Sequence, residues 1–256
     1  MRLTHLAMIA ILFLLQTFLL EAKPTFARLY KQQFGYMPSC LSCHADGGGS
    51  PLNNYGKAFK DNGNNLAAFA KIAAMDSDGD GAANEAEAKA KSNPGSKNST
   101  PGKAGTWLET SSLIPKEVQS AFPKNQTWQL KDAILTPADI ETAKKMGATL
   151  SAADENTIYI PVENQYPAGT ALIFPVTFQG KAFYLLLTTD KQLKIQQVQV
   201  LDAREVPAAK SSKVYSTFTG QQAQTLPAKP GTGLDEIIHT AVKNAGVLLY
   251  VRLKGA

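Results

Sequence analysis

The sequence predicts an α+β protein of two unlike domains: a small, mainly helical module, then an α+β domain with a mostly antiparallel sheet. Three observations lead there. The stretch Ser92-Asn93-Pro94-Gly95-Ser96-Lys97-Asn98-Ser99-Thr100-Pro101-Gly102 consists of turn formers with almost nothing to bury, and it breaks the chain. Ahead of it the composition is rich in Gly, Asn and Ala, with Leu66, Phe69, Ala70 and Ala73 at helical spacing. Behind it, runs of Val, Ile, Leu and Phe are separated by short polar turns. The resulting segments are 1–22, 23–95, a linker at 96–106, and 107–256.

At the N-terminus, Arg2 and His5 precede an apolar run from Leu6 to Leu15 that resumes from Thr17 to Leu20, before Glu21, Ala22 and Lys23. A charged start, an apolar stretch and small residues (Ala22, Ala27) that can precede a cleavage site give residues 1–22 the layout of a secretory signal peptide. A membrane anchor is the alternative, but the run is at the short end for a spanning helix. Nothing later is apolar for long enough, so the mature chain is expected in the periplasm or outside the cell, with no stable membrane span after signal removal. Overall, 44% apolar and 18% charged residues is ordinary globular composition. The net charge of +5 survives signal removal, because Arg2 and Glu21 leave together, and it favours an acidic partner or an anionic surface. The lysines are scattered, with no basic stripe interleaved by aromatics, so no nucleic acid partner is expected.

The module at 23–95 contains both cysteines of the chain, in Cys40-Leu41-Ser42-Cys43-His44. Two thiols at this spacing offer a redox dithiol, half of a zinc site, or covalent haem attachment. A dithiol needs a βαβ surround, which the region lacks, and zinc needs two further Cys or His ligands. Outside residues 1–22 the only histidines are His44 and His239. Haem attachment needs nothing more: the thiols add to the vinyl groups, Leu41 and Ser42 set the span, and His44 becomes the proximal ligand. A module this small also needs a staple, since its own core cannot offset chain entropy. Buried haem would supply apolar surface, with Phe34, Tyr36, Leu41, Leu52, Tyr55 and Phe59 as its walls, while Gly47-Gly48-Gly49 turns the chain away. For the sixth iron position Met75 leads, being far enough along the chain to cross to the other face. Met37 is too close to Cys40, Met146 belongs to the other domain, and His239 falls off the apolar stripe of its helix and reads as a surface residue.

A second staple follows. Asp76-Ser77-Asp78-Gly79-Asp80-Gly81 and Glu87 place acids at loop positions 1, 3 and 5, glycine at 6 and glutamate at 12 of a calcium loop. Asp76, Asp78 and Asp80 supply carboxylate oxygens, Ala82 its carbonyl, Asn84 a direct or water-mediated contact, and Glu87 closes the shell. Ala83 stands where a larger aliphatic is usual and no second loop pairs with this one, so a structural ion is expected rather than a sensor.

With this haem motif, Gly-Gly-Gly-Ser, Asn54-Tyr55-Gly56 and the run from Asp76 to Glu85, the module resembles bacterial monohaem cytochrome c modules that carry a calcium loop of the thrombospondin type 3 or dockerin kind. The resemblance covers about a quarter of the chain and implies a haem c electron carrier without naming a reaction.

From Trp107 onward, Pro137 to Gly147 reads as a helix opened by Thr136 or Pro137. Strands are expected at Thr157 to Val162, Ala171 to Phe178, Ala182 to Thr188 and Leu193 to Leu201, with hairpin turns at Gln179-Gly180-Lys181 and Asp190-Lys191-Gln192. Leu234 to Ala245 then forms a helix and Val247 to Leu253 a last strand. This order, with Thr217-Phe218-Thr219-Gly220 and Gly231-Thr232-Gly233 ahead of the helix, is similar to FMN-binding domains of membrane electron-transport complexes. Those domains attach flavin phosphate to the threonine of a Ser-Gly-Ala-Thr segment. Here Thr232 and Gly233 stand in the comparable place without Ser-Gly-Ala, which implies at most noncovalent FMN at the helix N-terminus. The combined expectation is an exported c-type cytochrome passing single electrons through one covalent haem, with a redox protein as partner and a C-terminal domain that docks it or holds flavin. A flavin-haem oxidoreductase and a haem-based sensor or gas-binding protein are the alternatives. No hydrolytic constellation is present, since two of the three histidines belong to the signal and the haem motif.

Overall fold

The computed structural model describes residues 24–47, 50–124 and 127–254. The signal peptide expected at 1–22, and Gly48 and Gly49 of the glycine run, lie outside the described residues. The small module contains α1 (Pro24–Phe34), α2 (Asn54–Asp61), α3 (Leu66–Ile72) and α4 (Asn84–Ala90). Its asparagines work as caps. Asn53 Oδ1 accepts the Gly56 N–H at the start of α2, and Asn65 Oδ1 accepts the Ala68 N–H at the start of α3. The helices close on an aromatic core in which Tyr30, Tyr55, Phe59, Phe69 and Ile72 are buried, with the Phe59 and Phe69 rings stacked at 4.7 Å.

Two short helices, α5 (Thr110–Leu113) and α6 (Lys116–Ala121), lead into the sheet. Its strands are β1 (Thr127–Ala133), β2 (Asn156–Glu163), β3 (Tyr166–Pro167), β4 (Gly169–Phe178), β5 (Lys181–Asp190) and β6 (Ile195–Asp202). They run β1-β2-β4-β5-β6 with β3 paired to β2, and every pairing is antiparallel. The expected fold class is therefore present. Gln179 and Gly180 both take positive φ, 50° and 76°, as the tight β4–β5 hairpin requires. Helices α7 (Pro137–Lys145) and α8 (Leu234–Leu253) lie on one face. Thr136 and Asp139 form a capping box at α7, and the Asp139 carboxylate also pairs with Arg252 at 2.8 Å.

Both faces of the sheet are covered, which explains its almost unbroken apolar strands. Along β5, Phe183, Leu185 and Leu187 join the core under α7 and α8, whereas Tyr184 and Leu186 point to the opposite face. That second face carries Tyr159, Ala171 and Ile173 and packs on Ile114, Val118 and Phe122 from the α5–α6 region. The small module sits against it as well: Arg28 pairs with Glu155 at 3.2 Å, Lys31 with Asp132, and Lys116 with Asp46 at 2.8 Å. Half-exposed ion pairs of this kind orient surfaces more than they stabilise them.

Three expectations are corrected. Val247 to Leu253 is not a strand but the second half of α8, which runs unbroken for 20 residues. Ala245, Val247, Leu248, Leu249 and Val251 are all buried, so the helix is apolar around much of its girth and the 3.6-residue period disappears from the sequence. Gly246 marks close packing rather than a break, since a Cβ there would lie 2.3 Å from the Ala223 carbonyl oxygen. His239, read as a surface residue, is 2% exposed for the same reason. Its ring lies 5.4 Å from Phe218, and burial followed by Lys229 and Lys243 lowers its pKa. The turn-rich stretch around the linker is not bare either. Ser92, Asn93 and Ser99 are buried through hydrogen bonds to backbone, Ser99 accepting from the Asn93 N–H at 2.8 Å and donating to the Ala104 carbonyl at 2.6 Å. Among the described residues no helix is long and apolar enough to cross a membrane.

Candidate functional site

Cys40–Ser42 forms a single 3₁₀ turn capped by Ser39, whose Oγ accepts the Leu41 N–H at 3.1 Å. The His44 N–H donates to the Cys40 carbonyl at 3.0 Å, so both thiols and the imidazole leave one tight turn. A frame from outside the motif holds it. Asn53 Nδ2 donates to the carbonyls of Leu41 and Ser42 at 3.0 and 3.1 Å, and Asn93 Nδ2 reaches Leu41 O at 3.4 Å. The backbone of α2 rests directly on the motif: a Cβ at Gly56 would lie 2.2 Å from the Cys43 carbonyl oxygen, and one at Gly95 2.4 Å from that of Ser42. Gly56→Ala should therefore overpack this contact and cost about 3 kcal/mol, read as a lower midpoint in urea, whereas Gly102→Ala removes no such contact and tests positive φ alone.

Cys40, Cys43 and His44 line a cavity of about 390 Å³ between the small module and the sheet, within the range of ligand pockets. Phe26, Tyr30, Leu52, Phe59 and Phe69 form the helical wall, and Tyr159, Ile173, Tyr184 and Leu201 the sheet wall. Of the six wall residues expected from the sequence, Leu52 and Phe59 line it. Tyr55 lies in the aromatic core, and Phe34 and Tyr36 pack against it. The sheet side was invisible beforehand, because its residues are over 100 positions from the motif.

His44 is 3% exposed, and its Nδ1 lies 2.5 Å from the Ser50 carbonyl oxygen. Since that oxygen only accepts, Nδ1 donates to it, which in the neutral ring puts the lone pair on Nε2, the form a metal-ligating imidazole needs. Burial pushes the Cys43 thiol up to about 11, its hydrogen bond with Ser42 opposing this. A thiol held neutral is the reverse of what a redox dithiol requires. The residues fit a covalently tethered haem on three counts: paired thiols on one turn, an imidazole with its second nitrogen tied down, and an aromatic cavity into which both face.

The acidic loop is also preformed. Ligand oxygens of Asp76, Asp78 and Asp80 lie within 4.8 Å of one another. Asp76 accepts the N–H groups of Gly79 and Gly81 at 2.8 and 2.9 Å, which lower its pKa; those glycines take φ of 82° and 95° to make the turn. Glu87 is 0% exposed and both its carboxylate oxygens lack a hydrogen-bond partner, as do Asp78 Oδ2 and Asp80 Oδ2. Burial, then Asp78, Asp80 and Asp76, push the Glu87 carboxyl up to about 8. Unpaired buried carboxylate oxygens beside three more carboxylates fit a hard divalent cation such as calcium. Asn84 is placed differently from its expected role. Its Oδ1 accepts the Ser77 N–H at 3.2 Å and its Nδ2 donates to Ile72 O at 2.8 Å, so its amide ties the loop to α3. Ala82 donates its N–H to Asp80 Oδ1 at 2.7 Å.

Other expected residues fall elsewhere. Met75 is 45% exposed and is not among the residues lining the cavity, while Met37 is. The short connection from α3 into the acidic loop turns Met75 outward, its N–H donating to Ile72 O at 3.1 Å. At the N-terminus of α8, Gly233 is the cap, Thr232 is exposed, and the first turn carries Asp235 and Glu236. The Glu236 side chain folds back so that its carboxylate would meet a Cβ on Gly233 at 2.3 Å. The first turn thus places two carboxylates of its own at the positive end of the helix dipole. Asn53, Asn93, Gly56 and Asn64 belong to the site and were missed as site residues; the Asn-Asn-Tyr-Gly run was the one visible signal. Comparison of the chain with protein-family models, with curated proteins and with solved structures finds no match.

Proposed function

We propose that this protein is an exported c-type cytochrome that carries single electrons through one haem bound at Cys40, Cys43 and His44. The observation that carries the reading is the His44 Nδ1 contact with the Ser50 carbonyl, which leaves Nε2 as a ligand inside a cavity shared with both thiols. When bound, the haem supplies reversible one-electron redox chemistry. The chain tethers it through Cys40 and Cys43, fixes the imidazole through Ser50, and excludes water with Phe59, Phe69, Tyr159 and Ile173, which favours the less charged reduced state. Arg204 and Lys210 stand at the cavity on the sheet side. Arg204 is paired with Asp202 at 2.7 Å and Glu117 lines the cavity too, so the preference for an acidic redox partner rests on the net charge of +5. A calcium ion held by Asp76, Asp78, Asp80 and Glu87 braces the small module, and the C-terminal domain supplies the second wall of the cavity and the docking surface. Export by residues 1–22 is part of the same reading, because haem attachment to cysteine pairs and a chain with no other thiols suit an oxidising compartment.

The test is a redox titration of the mature protein made in a host competent for haem attachment. A reversible one-electron transition, with electron exchange to an acidic carrier slowing as salt is added, supports the proposal. A two-electron transition with stoichiometric flavin, or no redox-active group, rejects it.

A further inference from the structure

With Met75 turned to solvent, the sixth iron position needs another source. Among the described residues lining the cavity, Asn64 Oδ1 is the buried side-chain oxygen or nitrogen that lacks a hydrogen-bond partner. Two of the other polar groups there are paired: the Tyr30 hydroxyl bonds that of Tyr36 at 2.9 Å, and Ser39 Oγ caps the turn that carries both thiols. Buried oxygens without partners are rare, and each calls for a ligand, ion or water. The placement of Asn64 is built in. It follows the C-cap Asn62 and Gly63 at the end of α2, takes φ of 55°, and its N–H donates to Phe59 O at 3.3 Å. The side chain thus enters the cavity from the turn between the aromatic walls Phe59 and Phe69. Asparagine adopts this left-handed backbone more readily than most residues and offers a neutral oxygen there.

We propose that Asn64 Oδ1 is the group that meets the sixth position of the haem iron, and that this position is exchangeable, so that the reduced protein takes a small neutral diatomic ligand. The inference rests on the haem reading above. An amide oxygen is a hard donor, weakly held by the softer reduced iron. A diatomic such as carbon monoxide or nitric oxide would displace it, the iron and the diatomic each keeping its oxidation state. Electron carriage and ligand binding then share one site, and Asn64, as the group displaced, sets the balance between them.

The test uses the mature holoprotein as wild type, Asn64→Gly, Asn64→Leu and Met37→Leu. Asn64→Gly preserves the left-handed turn, so a folding defect in the leucine variant does not obscure the result. Oxidised and reduced absorption spectra are recorded, followed by carbon monoxide titration of the reduced forms. The expected wild-type spectrum lacks the far-red sulfur-to-iron band of a methionine ligand. Asn64→Gly should change the oxidised spectrum and tighten carbon monoxide binding on the order of tenfold, which is about 1.4 kcal/mol, while Met37→Leu changes neither. A second readout needs no haem: in the apoprotein, Asn64→Gly, which keeps the left-handed turn, should raise the midpoint of thermal unfolding by removing an unpaired buried oxygen. A sulfur band that Met37→Leu abolishes, a reduced wild type inert to carbon monoxide, or an Asn64→Gly spectrum identical to wild type overturns this proposal alone. A wild type with no haem overturns the functional reading with it.

Discussion

Replacing Cys40 and Cys43 together by alanine should reduce the haem retained after denaturation to background, with each single variant retaining less than wild type. Both side chains line the cavity, while bonds through Ser39, Asn53 and the backbone hold the turn. The polypeptide geometry should therefore survive while the covalent tether is lost. The consequence for stability is large because the cavity separates the aromatic helical wall from Tyr159, Ile173 and Tyr184 on the sheet. A tethered haem packs only against the folded walls, and at an effective concentration a thousandfold above its dissociation constant its loss removes about 4 kcal/mol. At 2–4 °C per kcal/mol for a chain of this size, the unfolding midpoint should fall by about 10 °C. Leu41→Ala is the control. Leu41 serves the frame through its carbonyl, which the substitution keeps, so haem retention should match wild type.

Calcium removal should have the second largest effect. Without an ion, Glu87 is a buried acid facing Asp76, Asp78 and Asp80, and its folded pKa of about 8 lies above the ordinary value of 4.5. A group whose pKa is raised by folding favours the folded state only while protonated. Its contribution is full below about 4.5 and is lost as pH climbs through about 8. Chelated protein should accordingly lose stability from pH 5 to pH 8, a trend that saturating calcium cancels or reverses by binding the ionised form. At neutral pH, calcium at a hundredfold excess over its dissociation constant should be worth about 2.7 kcal/mol, or roughly 5–10 °C in midpoint. Glu87→Gln should abolish that response and flatten the pH trend of the chelated protein. The loop is well placed to transmit it, since the Ser92 N–H donates to Glu87 O at 2.9 Å and Asn93 next to it reaches the haem motif.

Local patterns were legible where one residue type has one job. The turn at Cys40–His44, the cluster of Asp76, Asp78 and Asp80, the capping Thr136 and the hairpin at Gln179-Gly180 all state their geometry within a few positions. Three kinds of feature were not. The second half of α8 lost its periodicity because it is buried on several sides, so Val247 to Leu253 read as a strand and His239 as exposed. The stretch from Ser92 to Ser99 read as empty because serine and asparagine bury through hydrogen bonds, which composition does not record. The sheet half of the cavity depends on Tyr159 and Tyr184 meeting a motif far away in sequence, and no local pattern encodes that contact. Met75 is 45% exposed and outside the cavity lining, because the acidic loop next to it turns it outward. The residue that does enter the cavity, Asn64, looks from sequence like one more turn former.

The most direct test is the intact mass of the mature wild-type protein, made in a host competent for haem attachment and extracted with acidified solvent that strips noncovalent haem. Covalent attachment at Cys40 and Cys43 requires a mass equal to the polypeptide plus one haem, with the increment confined to the peptide that contains residues 40–44. A protein that emerges at the bare polypeptide mass contradicts the central claim, whatever else the cavity binds.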